Sequence, residues 1–262
     1  VLLEGVLKYR LSPKETAMGE YFDLFYSGAP FELFEPGHLI ALGVIIAVCL
    51  SFIYFRKVWG KREQKRFRYT VATLLVFSEL SLHAWTEYWG LWSIQTMLPL
   101  HLCSVLVWLT ALMLYTRSYA IYELAYFLGI GGAMQALLTP DAGLYGFPHY
   151  RAIQTFFVHG VLVIAPIYMT VVEGFRPTLS SFRRVFIWTN IYMVPVFLLN
   201  RAIGSNYLFI AHKPEFPTLL DTLAPWPWYI IQLELIGFSI LSLLYIPFLI
   251  NDWMASRSPS AA

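Results

Sequence analysis

Apolar runs of about twenty residues, separated by short polar or aromatic stretches, recur along the chain from position 38 to position 250. A membrane-spanning helix needs about 20 mostly apolar residues. The runs divide into seven: 38–56, 69–88, 97–116, 119–138, 152–172, 185–200 and 227–250. The pattern therefore predicts an all-α fold, a polytopic membrane helical bundle of seven transmembrane helices occupying residues 38–252. Residues 1–37 are read as an extracytoplasmic N-terminal segment and residues 253–262 as a short cytoplasmic tail, with no second domain. Within 21–35 aromatic and acidic residues alternate, which suits an interfacial segment; Pro36 and Gly37 then break it before His38 opens the first span.

Composition supports the same class. Hydrophobic residues make up 58% of the 262 positions and charged residues 13%, with a mean hydropathy of +0.60, more apolar than a water-soluble core of this size requires. The basic residues fall unevenly between the two sides. Arg56, Lys57, Lys61, Arg62, Lys65, Arg66, Arg68, Arg117, Arg176, Arg183, Arg184 and Arg257 share one side, against Lys8, Arg10, Lys14, Arg151, Arg201 and Lys213 on the other. By the positive-inside rule the N-terminus is expected outside and the C-terminus in the cytoplasm. Trp85, Trp89, Trp92, Trp226 and Trp228 fit an outer aromatic belt. The basic loop 56–68 then reads as a cytoplasmic anchor rather than a nucleic-acid site. Residues 1–17 hold Glu4, Lys8, Arg10, Lys14 and Glu15 without an apolar core, unlike a secretory signal peptide. Met18 is the expected physiological start, with residues 1–17 not native.

Polar groups inside the spans are costly and turn inward, because lipid cannot hydrogen-bond to them. They collect in the outer half. Span two carries Glu79, His83 and Glu87, spaced i, i+4, i+8 on one helical face. Span three gives His101 and Cys103, span four Gln135, span five His159, and span seven Glu234. Cys103 lies about 9 Å deep and His159 about 10 Å deep at 1.5 Å per residue. His101, two residues from Cys103, would point about 200° away on a regular helix, so a base for the thiol has to come from another span. His159 is at the matching depth. An imidazole that takes the thiol proton yields a nucleophilic thiolate, while the alternatives are a small buried cysteine and a histidine bridging two helices. Cys49, among apolar neighbours, reads as a buried hydrophobe. His38 reads as an interfacial cap, and His149 and His212 as solvated loop residues.

Several stretches carry a resemblance. Pro-Phe-Glu-Leu-Phe-Glu-Pro-Gly-His-Leu at 30–39, Leu-Pro-Leu-His-Leu-Cys at 98–103, Phe-Phe-Val-His-Gly at 156–160, and Gly-Ser-Asn-Tyr-Leu-Phe at 204–209 with Lys-Pro and Pro-Trp-Pro-Trp-Tyr after it resemble the bacterial YwaF-like integral membrane proteins. Those in turn resemble the transmembrane protein 164 family. The resemblance runs from Met18 to about Asp252. It implies a multi-pass protein of the bacterial cytoplasmic membrane and a phospholipid acyltransferase, moving an acyl chain from a phospholipid to a lysophospholipid through a Cys and His pair. The family's cysteine falls on Cys103 and its histidine on His159.

The resulting expectation is a thioester mechanism near the outer leaflet, in which His159 deprotonates Cys103. His101, His83, Glu79, Glu87, Gln135 and Glu234 serve as supporting groups. Arg151, Arg201 and Lys213 are candidates for the lipid head group; no metal or cofactor is called for. Two other classes stand beside it. A zinc-dependent intramembrane lipid hydrolase would use His83, His101 and His159 around a metal-bound water, although no His-x-x-x-His pair occurs. A non-enzymatic transporter or receptor would explain intramembrane charges without a nucleophile, and predicts an internal repeat that the sequence does not display.

Overall fold

The computed structural model describes residues 19–140, 143–214 and 218–257; the expected start at Met18 lies outside them. The fold is all-α, with seven helices: α1 Pro36–Val58, α2 Lys61–Tyr88, α3 Leu102–Thr116, α4 Tyr119–Leu138, α5 Tyr150–Val171, α6 Leu179–Ile203 and α7 Trp228–Arg257. Five of them, α1, α4, α5, α6 and α7, are long and apolar enough to cross a membrane, as befits a multi-pass membrane protein.

The two exceptions have local causes. Helix α2 starts in the charged stretch Lys61–Arg68 and carries Glu79, His83 and Glu87 further along, which removes the long uninterrupted apolar window. Helix α3 has only 15 residues, not the twenty expected from 97–116. Pro99 explains the shortening. It has no N–H to donate and drives the preceding Leu98 away from helical dihedrals, so residues 97–101 form turns. The first helical turn closes only where Val105 N donates to His101 O at 3.0 Å. At the other end of the chain α7 continues to Arg257, so the first residues of the expected tail are helical.

Helix α5 is the centre of the bundle. Two thirds (67%) of its apolar window is buried, and α1, α2, α3 and α4 all pack on it, whereas α6 and α7 lie outside, against each other and α4. Small residues set the closest approaches. A Cβ at Gly160 would stand 3.0 Å from Ile45 Cδ1 on α1, and one at Gly129 would stand 3.2 Å from the Leu162 carbonyl oxygen. Pro166 lies four residues beyond Leu162 and has no N–H to offer that carbonyl. Between Ala125 and Gly129 α4 widens into a π turn, adding one residue to its winding.

One end of the bundle is held by buried charge. Glu173, with a side chain only 2% exposed, lies 3.0 Å from Arg68 Nε and 2.7 Å from Arg117 Nη2, and it accepts from Tyr168 Oη at 3.0 Å. Arg68 also donates to Leu114 O at 2.9 Å, so the ends of α2, α3 and α5 are tied together. Nearby in sequence, Glu123 of α4 accepts from Ser181 Oγ at 2.5 Å and pairs with Arg184 of α6. Arg176 pairs with Asp252 of α7.

The opposite end is covered by residues 19–35. His149, expected to be solvated, is fully buried at the N-cap of α5. Its Nε2 donates to Asp23 O at 2.9 Å, its Nδ1 accepts from Arg151 N at 3.1 Å, and its ring stacks on Tyr145. Trp85 Nε1 donates to Phe22 O at 2.8 Å and Tyr145 Oη to Leu24 O at 3.0 Å. His38 is likewise buried with both nitrogens used. Its Nδ1 accepts from Phe34 N at 3.0 Å and its Nε2 donates to Leu137 O at 2.8 Å, bridging α1 to α4.

Candidate functional site

Because α3 begins at Leu102, Cys103 is its second residue and not a mid-helix one. The first amides of a helix have no intrahelical acceptor, and the partial positive charge they create stabilises an anion placed there. Across from Cys103 is Gly132 of α4. A Cβ there would stand 3.9 Å from Cys103 Sγ and 3.2 Å from Leu102 Cδ2, so the absence of a side chain at 132 makes room for the first turn of α3.

Helices α4 and α5 run antiparallel, and two contacts fix their relative height. Gly129 faces Leu162; nearer the other end Leu137 O bonds His38, whose ring lies 5.3 Å from that of Phe156. Stepping one turn up α4 from Gly129 and one turn back along α5 from Leu162 brings Gly132 to the level of His159. Cys103 shares that level, on a helix that packs directly on α5.

The half-buried His159 ring donates from Nδ1 to Thr155 O at 2.8 Å. A carbonyl only accepts, so Nδ1 carries the hydrogen and the neutral ring keeps its lone pair on Nε2. Neither side chain hydrogen-bonds to the other: among the described residues Cys103 Sγ has no hydrogen-bond partner and His159 has only Thr155.

His101 is the N-cap of α3 and lies outside the helix, contrary to its expected place in a regular helical turn. Its Nδ1 accepts from Leu208 N at 3.3 Å, and its ring packs on Tyr207 and Phe209 at centroid distances of 5.1 and 5.2 Å. It thus anchors the loop after α6 over the start of α3. That loop is built with care: Leu208 and Phe209 take positive φ values of 60° and 52°. Asn200 grips both sides of Tyr207, accepting from its N at 2.8 Å and donating to its O at 2.9 Å. Tyr207 Oη accepts from Leu98 N at 2.9 Å and donates to Ile94 O at 2.7 Å. Asn200 belongs to the polar groups expected to turn inward at the end of span six, whereas Tyr207 was not singled out; the Gly-Ser-Asn-Tyr-Leu-Phe stretch was the signal that held it.

A second polar cluster joins α2 to the first turn of α5. Glu79 is buried, and His83 Nε2 lies 3.8 Å from it. His83 Nδ1 accepts from Trp92 Nε1 at 2.9 Å, which leaves the hydrogen on the nitrogen that faces Glu79. Ser81 Oγ and Tyr150 Oη are 2.7 Å apart. Arg151 donates to Gln154 Oε1 at 2.9 Å and lies over the Trp85 ring at 5.8 Å, within electrostatic reach of both Glu79 and His159.

The remaining expected site residues do not converge here. Glu87 is exposed, so the three-residue face on α2 reduces to Glu79 and His83; Gln135 is exposed as well. Glu234 accepts from Asn190 Nδ2 at 3.0 Å, a polar bridge between α6 and α7. Lys213 is committed to Leu223 O at 2.7 Å, beside the Tyr229 ring. Arg201 is exposed at the end of α6. Among the described residues no three His, Cys, Asp or Glu side chains are grouped so as to hold a metal ion, and His83, His101 and His159 each direct a nitrogen to a different local partner.

The model of the TMEM164 family, transmembrane protein 164, matches residues 33–245. The chain belongs to the TMEM164 family. No curated protein and no solved structure matches it. The TMEM164 match runs from the segment before α1 well into α7 and so contains Cys103, Gly132, His159 and the loop that carries Tyr207.

Below Cys103 an apolar groove of about 220 Å³ opens between α3, α4 and α6. Leu102 forms its upper end, and Leu106 and Leu109 continue the α3 wall, one helical face apart by successive turns.

Proposed function

We propose that the protein is an integral membrane phospholipid acyltransferase that works through a Cys103 thioester, with His159 as the base. The observation that carries this reading is the free Nε2 of His159 at the level of a cysteine in the first turn of a helix. Family membership supports it, because the resemblance implied this activity and these two residues. The seven helices are read as seven spans, with the N-terminus outside and the protein in the bacterial cytoplasmic membrane, from the distribution of Lys and Arg.

The cycle runs as ping-pong transfer. His159 Nε2 accepts the Cys103 proton as Sγ attacks the ester carbonyl of a donor phospholipid. The resulting oxyanion is met by the unbonded amides at the start of α3. Collapse expels the lysophospholipid alkoxide, which takes the proton back from the imidazolium, and leaves the acyl group on sulfur. The hydroxyl of an acceptor lysophospholipid, or water, then gives its proton to His159 and attacks the thioester, returning the thiol. Catalytic hydrogen bonds are often long without substrate and tighten in the complex, so the sulfur-to-imidazole bond is expected to form when the donor is bound. Arg151 stands within electrostatic reach of His159, and His101 keeps the loop closed over the helix start.

The test is intact-mass analysis of the purified protein after exposure to isotopically labelled phospholipid. A hydroxylamine-sensitive acyl adduct on Cys103 is the expected result. Turnover without any adduct, or an adduct on another residue, would overturn the thioester.

A further inference from the structure

We propose that the groove between α3, α4 and α6 holds the acyl chain of the donor lipid, with Thr189 on the wall that the chain passes. The identity of the lipid rests on the acyl-transfer reading; the groove itself stands on its own geometry. Its upper end, Leu102, is adjacent to Cys103, and both residues border Gly132. A carbonyl at the sulfur lies one residue from the upper end of the groove, so its chain reaches this space by turning past Leu102. The walls offer nothing to a polar occupant: the two polar side chains that line the groove are already satisfied. Thr189 Oγ1 donates to Val185 O at 2.8 Å and Tyr192 Oη to Leu100 O at 3.0 Å. A hydrocarbon fits without leaving a group unpaired.

Dimensions agree. From Leu102 to Leu109 the α3 wall is about 10 Å long at 1.5 Å per residue, while one leaflet of the hydrocarbon core is about 15 Å thick. The groove thus takes roughly the upper two thirds of a chain, and the remainder leaves sideways past the exposed Trp188. The π turn of α4 lies on this same wall, with Leu124 before it and Leu128 within it both facing the groove. Helix α6 runs antiparallel to α3, so Tyr192 stands beside the top of the groove and Trp188 and Thr189 about one turn lower.

The experiment uses the full chain, with and without Cys103→Ala, in phosphatidylcholine nanodiscs containing a phosphatidylcholine that bears a diazirine on its acyl chain. The expected result is photolabel in the peptides holding Leu102–Leu109 and Trp188–Tyr192. A carbonyl-end probe should mark Leu102 and Tyr192, and a methyl-end probe Leu109 and Trp188. Thr189→Phe should abolish the deeper labelling. One methylene in an apolar pocket changes discrimination by about 10–200-fold. Thr189→Phe should therefore cut Cys103 acylation by a hexadecanoyl donor at least about tenfold relative to a hexanoyl donor. Trp188→Ala, at the exposed mouth, should keep the label and relax the chain-length preference. Label spread evenly over α1 and α7 with none enriched in the groove would overturn the proposal. So would crosslinks joining two copies of the chain through these peptides, or a monodisperse Thr189→Phe protein whose acylation falls equally for both donors. Groove label without any Cys103 adduct in the unmodified chain would uphold the groove as a lipid-chain site and overturn the transfer chemistry instead.

Discussion

Gly129 of α4 faces the carbonyl of Leu162 on α5 so closely that a methyl group added at 129 would stand 3.2 Å from the oxygen. Pro166 leaves that oxygen without its usual helical donor, and the bare Cα of a glycine can approach it. Gly129→Ala is expected to force α4 away from α5 and to destabilise the protein by about 1–3 kcal/mol. Thermal unfolding in detergent, compared with Gly43→Ala, where a Cβ meets open space, measures it. Equal melting temperatures would show that the helices yield without cost.

Cys103→Ala should abolish both acyl transfer and the covalent adduct. His159→Ala should slow adduct formation yet recover in part at alkaline pH, because hydroxide can stand in for the imidazole as the base that takes the thiol proton. Cys49→Ala should leave transfer near normal. A Cys103→Ser protein that retains its full biological activity would instead point to a transporter or receptor.

Glu173 is the hub for Arg68 and Arg117, and its side chain is almost wholly buried. Glu173→Gln leaves the buried Arg68 without its counter-charge, and breaking such a pair from one side costs about 3–5 kcal/mol. Arg117 is far more exposed, so Arg117→Gln should cost under about 1 kcal/mol. A chemical or thermal melt of both variants gives the contrast; similar losses would place the two arginines on an equal footing.

His149 makes the hold of segment 19–35 on α5 dependent on pH. Burial holds its pKa below the ordinary histidine value, with Arg151 adding to the effect and the bond to Asp23 O opposing it. The unfolded chain then binds a proton more readily than the folded one, so the contribution is complete above about pH 6.5 and is lost as pH falls below it. Limited proteolysis within 19–35 should accelerate between pH 7.5 and pH 5.5. His149→Asn should remove most of that acceleration; an unchanged profile would assign it to other groups.

Orientation is tested by labelling single cysteines introduced at positions 60–66 of a Cys49→Ala, Cys103→Ala chain. Reaction only from the cytoplasmic side is expected. Modification from the outside would reverse the bundle and move the catalytic pair to the inner leaflet.

The helices were legible because their apolar runs are long, whereas the depth of Cys103 was counted at 1.5 Å per residue from position 97, through five residues that are not helical. Where α3 starts was less legible. Leu98 and Leu100 are as apolar as the helix that follows, and hydropathy extended the helix back through residues that Pro99 keeps in turns. Side-chain direction was the other gap. Glu87 follows Glu79 and His83 at helical spacing, yet Glu79 is buried, His83 half-buried and Glu87 exposed, while Trp85, Thr86 and Trp89 around it are buried. His38 and His149 looked solvent-facing because their partners, Leu137 O and Asp23 O, are backbone groups about 100 or more residues away, which no local pattern announces. Gly132 carried no signal of its own; its meaning comes from what stands opposite.

The π turn in α4 divides that helix into two independently indexed halves. Below it, Tyr122 holds Thr170 and Glu123 holds Ser181 and Arg184; above it, Gly132 sits beside the sulfur and Leu137 beside His38. With one extra residue wound in between them, the upper half is set about 100° out of phase with the lower, relative to an uninterrupted helix. The face of α4 that stands beside Cys103 is therefore not the one that regular helical spacing from the lower anchors would put there.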